Sequence, residues 1–216
     1  MRYAIATGLY LFAGLPLNAH PHIFVDTGLD MLMDAEGRLI EVRVTWTYDE
    51  LYSLLITEDR GLDDDLDGEL TEAEQEQLVG FDMQWTEGFN GDLVILQGTD
   101  MLALSGPQEA TARFEDGRIT TTHVRRVLGE QTVGEPLQVK PYDATYYTAY
   151  DITLPVRVTG AEGCVIQKEM PDVDARLREM RDLLNTLDTD ETPSEAGLPD
   201  IGGLLATTVW VSCVSS

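Results

Sequence analysis

The chain is strongly acidic and long enough to bury a sizeable core. It has 216 residues and a net charge of −25, from 39 acidic and 14 basic residues, and 43% of its residues are hydrophobic. Since the sequence has no basic patch, nucleic acid and anionic membrane surfaces are excluded as favourable partners. Cations and basic protein surfaces are favoured, although a salt-rich habitat also selects acidic surfaces.

Residues 1–19 have the features of a secretory signal peptide. Arg2 supplies a positive charge, residues 3–15 are apolar, and Ala19 precedes the predicted cleavage site. No later stretch reaches the roughly 20 apolar residues that a membrane-spanning helix needs. We expect an exported, periplasmic protein that is not embedded in a membrane, with residues 20–216 as one α+β domain. A retained signal anchor is the alternative.

Cleavage after Ala19 would create an N-terminus that can chelate a metal ion. His20 would offer its free amine and its imidazole, His22 a second imidazole, and Asp26 a carboxylate. Nitrogen ligands of this kind suit Zn²⁺, Cu, Ni²⁺ or Co²⁺ better than Ca²⁺. The alternative is that both histidines are solvated terminal residues.

Two strands are predicted next. Residues 23–33 are strand-like, and residues 34–37 form a hairpin turn signal. Residues 39–48 alternate between apolar and polar side chains, which predicts a half-buried strand. The residues expected on its buried side are Ile40, Val42, Val44, Trp46 and Tyr48.

The acidic stretch DDDLDGELTEAE at residues 63–74 matches the calcium loop of an EF-hand. Gly68 stands at position 6, where the loop turns sharply, and Leu70 at position 8 is expected to pack inward. Glu69 would contribute its backbone carbonyl and Glu74 both carboxylate oxygens. The residues at positions 1, 3, 5, 7, 9 and 12 are Asp63, Asp65, Asp67, Glu69, Thr71 and Glu74. The alternative is a solvated acidic turn.

Helical patterns flank this loop and predict an EF-hand-like helix–loop–helix insertion at about residues 48–88. The entering helix is predicted at residues 48–57 and the leaving helix at residues 71–88. The apolar face of the entering helix would consist of Leu51, Leu54 and Leu55. No convincing second loop accompanies the first. We therefore expect one structural Ca²⁺ site, with a Kd of roughly 10⁻⁴ to 10⁻³ M as in extracellular modules.

The second half of the chain alternates further strands with one helix. A helix is predicted at residues 172–187 and an acidic loop at residues 188–203. The predicted strands cover residues 93–97, 101–104, 111–114, 119–127, 146–158 and 204–214. The fold class is α+β, with an antiparallel, sandwich-like β domain, the EF-hand-like insertion and a C-terminal helix.

His123 lies in the predicted strand at residues 119–127 and is a further candidate transition-metal ligand from across the sheet. A tetrahedral zinc site needs four ligands, and Asp26 or Asp151 is a candidate for the last of them. The alternative is that His123 is a hydrogen-bonded strand residue.

The chain has two cysteines, Cys164 and Cys213, which do not resemble a metal-binding pair. In an oxidising compartment we expect them to form a disulfide. The alternative is a pair of buried free thiols.

The order of these motifs resembles a known bacterial family, the domain-of-unknown-function family number one thousand and seven. The resemblance covers nearly all of the chain after residue 19. It is carried by residues 20–26 (HPHIFVD), 45–50 (TWTYDE), 63–74 and 143–147, and by Cys164 and Cys213. Members are often labelled as periplasmic components of an uncharacterised ABC-type transport system. The resemblance implies a role in periplasmic metal handling, with a membrane metal transporter or an ABC-type system as partner.

Together these features favour a non-enzymatic, exported metal-binding protein, braced by Ca²⁺ and involved in handling or transport of a transition metal. Hydrolase and nucleotide-binding motifs such as G-x-S-x-G, H-E-x-x-H and the P-loop are absent from the sequence. One alternative is a solute-binding or adaptor component of an ABC-type system in which calcium is purely structural. A copper-dependent enzyme is less favoured.

Overall fold

A computed structural model describes residues 21–65, 67–184 and 200–213. The predicted signal peptide, His20 and residues 188–199 of the predicted acidic loop lie outside these ranges. The described helices are α1 (Glu50–Asp59), α2 (Glu72–Leu78), α3 (Val173–Leu184) and α4 (Ile201–Leu205). The described strands are β1 (Ile23–Met33), β2 (Leu39–Tyr48), β3 (Leu93–Gln97), β4 (Asp100–Met101), β5 (Ala103–Leu104), β6 (Gln108–Glu115), β7 (Arg118–Leu128), β8 (Leu137–Pro141), β9 (Thr148–Asp151), β10 (Val156–Thr159), β11 (Cys164–Glu169) and β12 (Thr208–Cys213).

The strands form two sheets. The seven-stranded sheet has the order β10-β1-β2-β7-β5, with β6 also paired to β7 and β9 to β1. The five-stranded sheet has the order β11-β12-β8-β3-β4. The described pairings are antiparallel except those of β9 and β10 with β1, which are parallel. Buried residues of both sheets, such as Val44 and Ile95, join one hydrophobic core. The α+β class is therefore confirmed.

The alternation predicted for β2 is confirmed over most of its length. Val42, Val44, Trp46 and Tyr48 are buried, as expected. Ile40 is the exception, because it is 44% exposed while Leu39 is buried. The pairing of β1 with β2 is irregular next to Met33, which lies opposite Leu39. Such an irregularity shifts the alternation by one residue and explains the difference.

The predicted apolar face of α1 is wrong. Its three leucines point away from the core, with exposed fractions of 65% for Leu51, 52% for Leu54 and 49% for Leu55. Ser53 and Thr57 are buried instead. The hydroxyl of Ser53 accepts a hydrogen bond of 2.9 Å from the backbone N–H of Ile119 in β7. The helix therefore buries against the sheet the side chain that accepts a hydrogen bond from a buried N–H group of β7.

The boundaries of other elements differ from the sequence predictions for local reasons. The helix predicted at residues 71–88 ends at Leu78, because Gly80 adopts a φ of 76° that a helix cannot accommodate. Pro155 separates β9 from β10 within the strand predicted at residues 146–158. At the C-terminal end, α4 occupies the first part of the strand predicted at residues 204–214. Strands β8 and β11 were not predicted.

Candidate functional site

The loop between α1 and α2 brings three carboxylates together. Ligand oxygens of Asp63, Asp65 and Asp67 all lie within 4.8 Å of one another. Asp63 organises the turn, since its carboxylate accepts hydrogen bonds from the backbone N–H groups of Asp67 (3.0 Å) and Gly68 (3.2 Å). Gly68 has a φ of 80°, the left-handed conformation that glycine adopts without strain. The structure therefore assembles positions 1, 3 and 5 of the predicted loop.

Glu74, at position 12, closes the loop onto position 1. Its Oε1 accepts a hydrogen bond of 3.1 Å from the backbone N–H of Asp63, and its Oε2 accepts bonds from the backbone N–H and hydroxyl of Thr71 at 2.8 and 2.6 Å. Thr71 and Glu74 form a capping box at the start of α2. The hydrogen bonds from Thr71, its side chain first, hold the pKa of Glu74 below its usual value. The carboxylate is thus kept ionised, the form that binds a cation.

The loop is anchored to the core at both ends. Leu62, just before it, and Leu70, at position 8, are buried as part of the hydrophobic core. Glu69 and Thr71 are exposed, so their oxygens are accessible from solvent. The donors are hard oxygens from carboxylates, a hydroxyl and the backbone, which suit Ca²⁺ better than a soft metal. The residues present therefore fit a calcium ion.

His20 of the predicted histidine-based site lies outside the described residues, and the described residues of that site are not all brought together. Asp26 forms an ion pair of 2.7 Å with Arg118 and accepts a hydrogen bond from Thr153. Burial raises the pKa of Asp26, but these hydrogen bonds outweigh it, and the net pKa is lowered. Asp151 lies opposite Asp26 in the register of β9 and β1.

His123 lies on the opposite, buried face of the sheet from Asp26 and is fully buried. In the strand register it lies opposite Val44, which lies opposite Leu29. His22 precedes Leu29 by a stretch that spans about 23 Å along an extended chain. This arrangement therefore does not support the prediction that His123 belongs to one site with His22 and Asp26. The ring of His22 is exposed and lies 4.8 Å from that of Tyr147.

The structure reveals a buried polar cluster that the sequence analysis missed. Asp82, in the segment after α2, accepts hydrogen bonds from the hydroxyls of Tyr48 (2.8 Å) and Thr121 (2.6 Å). Burial raises the pKa of Asp82. The rings of Trp46 and Trp85 pack against His123, with centroids 4.7 and 5.5 Å from it. Only the inward placement of Trp46 and Tyr48 by the alternation of β2 hinted at this cluster.

Burial also explains why the histidine in this cluster is uncharged. Burial, together with the smaller effect of the nearby Arg125 guanidinium, lowers the pKa of His123 to about 3. The Arg125 guanidinium lies 4.7 Å from the ring centroid of Trp85. Its Nη1 donates a hydrogen bond to the backbone carbonyl of Asn90, and its Nε donates one to that of Ser105. His123 is therefore neutral at physiological pH.

The predicted disulfide is confirmed. Cys164 and Cys213 are bonded and face each other at the end of the β11–β12 pair. Among the residues that the structure describes, no helix is long and apolar enough to cross a membrane.

The comparisons with known proteins identify a family. No curated protein and no solved structure matches the chain. One family model, described as "Protein of unknown function (DUF1007)", matches residues 5–213. This match spans nearly the whole chain, including the loop at residues 63–74 and both cysteines, so the chain belongs to the DUF1007 family.

Proposed function

We propose that the protein binds Ca²⁺ in the loop at residues 63–74 and that the ion braces the segment from α1 to α2. The observation that carries this proposal is the convergence of Asp63, Asp65 and Asp67 within 4.8 Å. Three ionised carboxylates at this spacing repel one another, and a divalent cation relieves that repulsion.

Each residue of the loop has a separate role in this proposal. Asp63, Asp65 and Asp67 supply carboxylate oxygens, and Glu74 supplies a further pair from the first turn of α2. Glu69 offers its backbone carbonyl and Thr71 its hydroxyl. When bound, the ion would join the start of the loop to α2 more firmly than the hydrogen bond from Asp63 to Glu74 does. The site is structural in this proposal and needs no catalytic group.

The wider function that we propose is periplasmic metal handling by an exported protein. The disulfide supports an oxidising compartment, because such bonds persist there. A transition metal such as Zn²⁺, Cu, Ni²⁺ or Co²⁺ would bind to His20 and His22, because Asp26 is engaged by Arg118 and His123 is buried elsewhere. The partner would be a membrane metal transporter or an ABC-type system.

The calcium proposal is tested by a charge-matched pair of variants. Glu74→Gln removes the bidentate carboxylate at position 12 while leaving one oxygen that can accept the N–H bond of either Asp63 or Thr71. Asp64→Asn removes the same charge at position 2, which is not a ligand position. Isothermal titration with Ca²⁺ should show affinity reduced roughly tenfold or more in Glu74→Gln. The Asp64→Asn variant should stay close to the wild type.

Equal affinities in the wild type and both variants would contradict the proposal, as would a wild type that does not bind Ca²⁺. Calcium binding should also raise the melting temperature of the wild type, since a ligand that binds only the folded state stabilises it.

The transition-metal part is tested separately, by elemental analysis of protein exported with its native N-terminus and purified without chelators. About one equivalent of a transition metal is expected, with loss of that metal in His22→Ala or when an extra residue precedes His20. Calcium alone would favour the alternative of a solute-binding or adaptor component. Peroxide formation by the copper-loaded protein with a reductant would favour the copper-dependent enzyme.

A further inference from the structure

Among the described residues, the buried side-chain atoms that lack a hydrogen-bond partner are all in the polar cluster around Asp82 and His123. They are Nε1 of Trp46, Oδ1 of Asp82, and Nδ1 and Nε2 of His123. Buried polar groups are rarely left unpaired in proteins, because each then loses its bonds to water without replacement. Such atoms on three side chains of one cluster therefore indicate a shared partner, which reaches only one of the two His123 nitrogens because these point away from each other.

The three side chains surround one residue, Thr121. Trp46 lies directly opposite Thr121 in the pairing of β2 with β7. His123 follows Thr121 by two positions on the same strand, so both side chains point to the same face of the sheet. The second oxygen of Asp82 accepts the hydrogen bond from the Thr121 hydroxyl. The side chains that carry the unpartnered atoms therefore lie in one part of the interior.

The surroundings of these atoms are largely aromatic. The indole of Trp85 lies against His123, and its Nε1 donates a hydrogen bond of 2.8 Å to the backbone carbonyl of Asp82. The ring of Tyr150 lies 5.4 Å from that of Trp46, and its hydroxyl is bonded to Asp92. These neighbours already have partners or present apolar faces. The common partner must therefore be a small polar molecule or ion.

The chemistry of the unpartnered atoms decides between the possible partners. A neutral imidazole provides one donor and one acceptor, the Trp46 indole provides a donor, and the second oxygen of Asp82 provides an acceptor. A metal cation would satisfy only the two acceptors and would lie near the positive charge of Arg125. An anion would satisfy only the two donors. A water molecule can accept from the Trp46 indole, donate to Asp82, and donate to or accept from the one His123 nitrogen that faces it, so it satisfies all three side chains at once.

We propose that the protein holds an internal, ordered water molecule bound by Trp46, Asp82 and one nitrogen of His123 on the buried face of the seven-stranded sheet. The water would complete a network that already includes Tyr48 and Thr121. It would also favour one tautomer of His123, because the nitrogen that faces the water either donates a hydrogen bond to it or accepts one from it.

The test is magnetic relaxation dispersion of water ¹⁷O and ²H, which counts long-lived internal waters in the full-length protein. His123→Leu removes two of the four polar atoms at similar side-chain volume, and the signal should fall by about one water. The matched control is Trp210→Phe, which removes an indole donor that is bonded to Glu169 in the other sheet. The control should keep the wild-type signal.

An unchanged signal in folded His123→Leu would overturn the proposal. Binding of Zn²⁺ or Cu²⁺ to the wild type that is lost in His123→Leu would also overturn it, because a metal would then occupy the site. If His123→Leu does not fold, a high-resolution crystal structure of the wild type decides. Density for a water within hydrogen-bonding distance of His123 and Trp46 is expected, and its absence would reject the proposal.

Discussion

At the scale of single residues, Asp92 is a carboxylate that folding places in an unfavourable position. Burial and, to a smaller extent, the charge of Asp143 raise its pKa to about 6, although a hydrogen bond from Tyr150 lowers it. The folded protein therefore holds a proton on Asp92 more tightly than the unfolded chain does. As pH rises from about 4 to about 6, this residue makes the folded state progressively less stable.

We predict that Asp92→Asn removes this dependence on pH, because an amide does not ionise and its oxygen can still accept the bond from Tyr150. The free energy of unfolding of the variant, relative to that of the wild type, should rise between pH 4 and pH 7 by on the order of 1 kcal/mol. Urea unfolding in the presence of a chelator measures it, with exposed Asp100→Asn as the control. A pH-independent difference would contradict the prediction.

Sequence spacing could locate some of these residues and not others. The proposed ligands Asp63, Asp65 and Asp67 lie within one turn of chain, so their spacing alone predicted that they converge. Asp92 and its partner Tyr150 are 58 positions apart, and Asp82 and Thr121 are 39 apart. Contacts of this range depend on how the strands are ordered, which a single sequence does not reveal.

At the scale of elements, α1 shows how one hydrogen bond can determine which face of a helix is buried. We predict that Ser53→Ala destabilises the protein by roughly 1–3 kcal/mol, because the buried N–H of Ile119 loses its acceptor. Leu54→Ser, on the exposed side of the same helix, should change the free energy of unfolding by about 0.5 kcal/mol or less. Chemical denaturation of both variants measures the contrast, and a larger loss in Leu54→Ser would restore the apolar-face prediction.

The strands were more predictable than the helices for a physical reason. Strands β1 and β2 are long and alternate, and only one register buries their apolar side chains. Helix α1 instead carries its leucines on a face that no described element covers. A prediction from hydrophobicity alone therefore placed the wrong side of the helix in the core. Strand β11 was not predicted because most of its side chains, including Val165, are exposed.

At the scale of the whole molecule, the disulfide closes a loop between residues 49 positions apart. We predict that replacing both cysteines by serine lowers the free energy of unfolding by about 4 kcal/mol, because the unfolded chain regains the freedom that the cross-link removes. Urea unfolding measures the change, and the reduced wild type should behave like the variant. A variant as stable as the oxidised wild type would contradict the predicted loss of stability.

The position of β12 has a consequence for the order in which the protein can fold. It is the last described strand in the chain, yet it lies inside the five-stranded sheet, between β11 and β8. Until residues 208–213 are available, β8 and β11 each present an unpaired edge, and the places of Val209 and Val211 in the core are empty. A nascent chain can thus complete its first sheet early, whereas the second sheet closes only when the final strand is inserted between its neighbours.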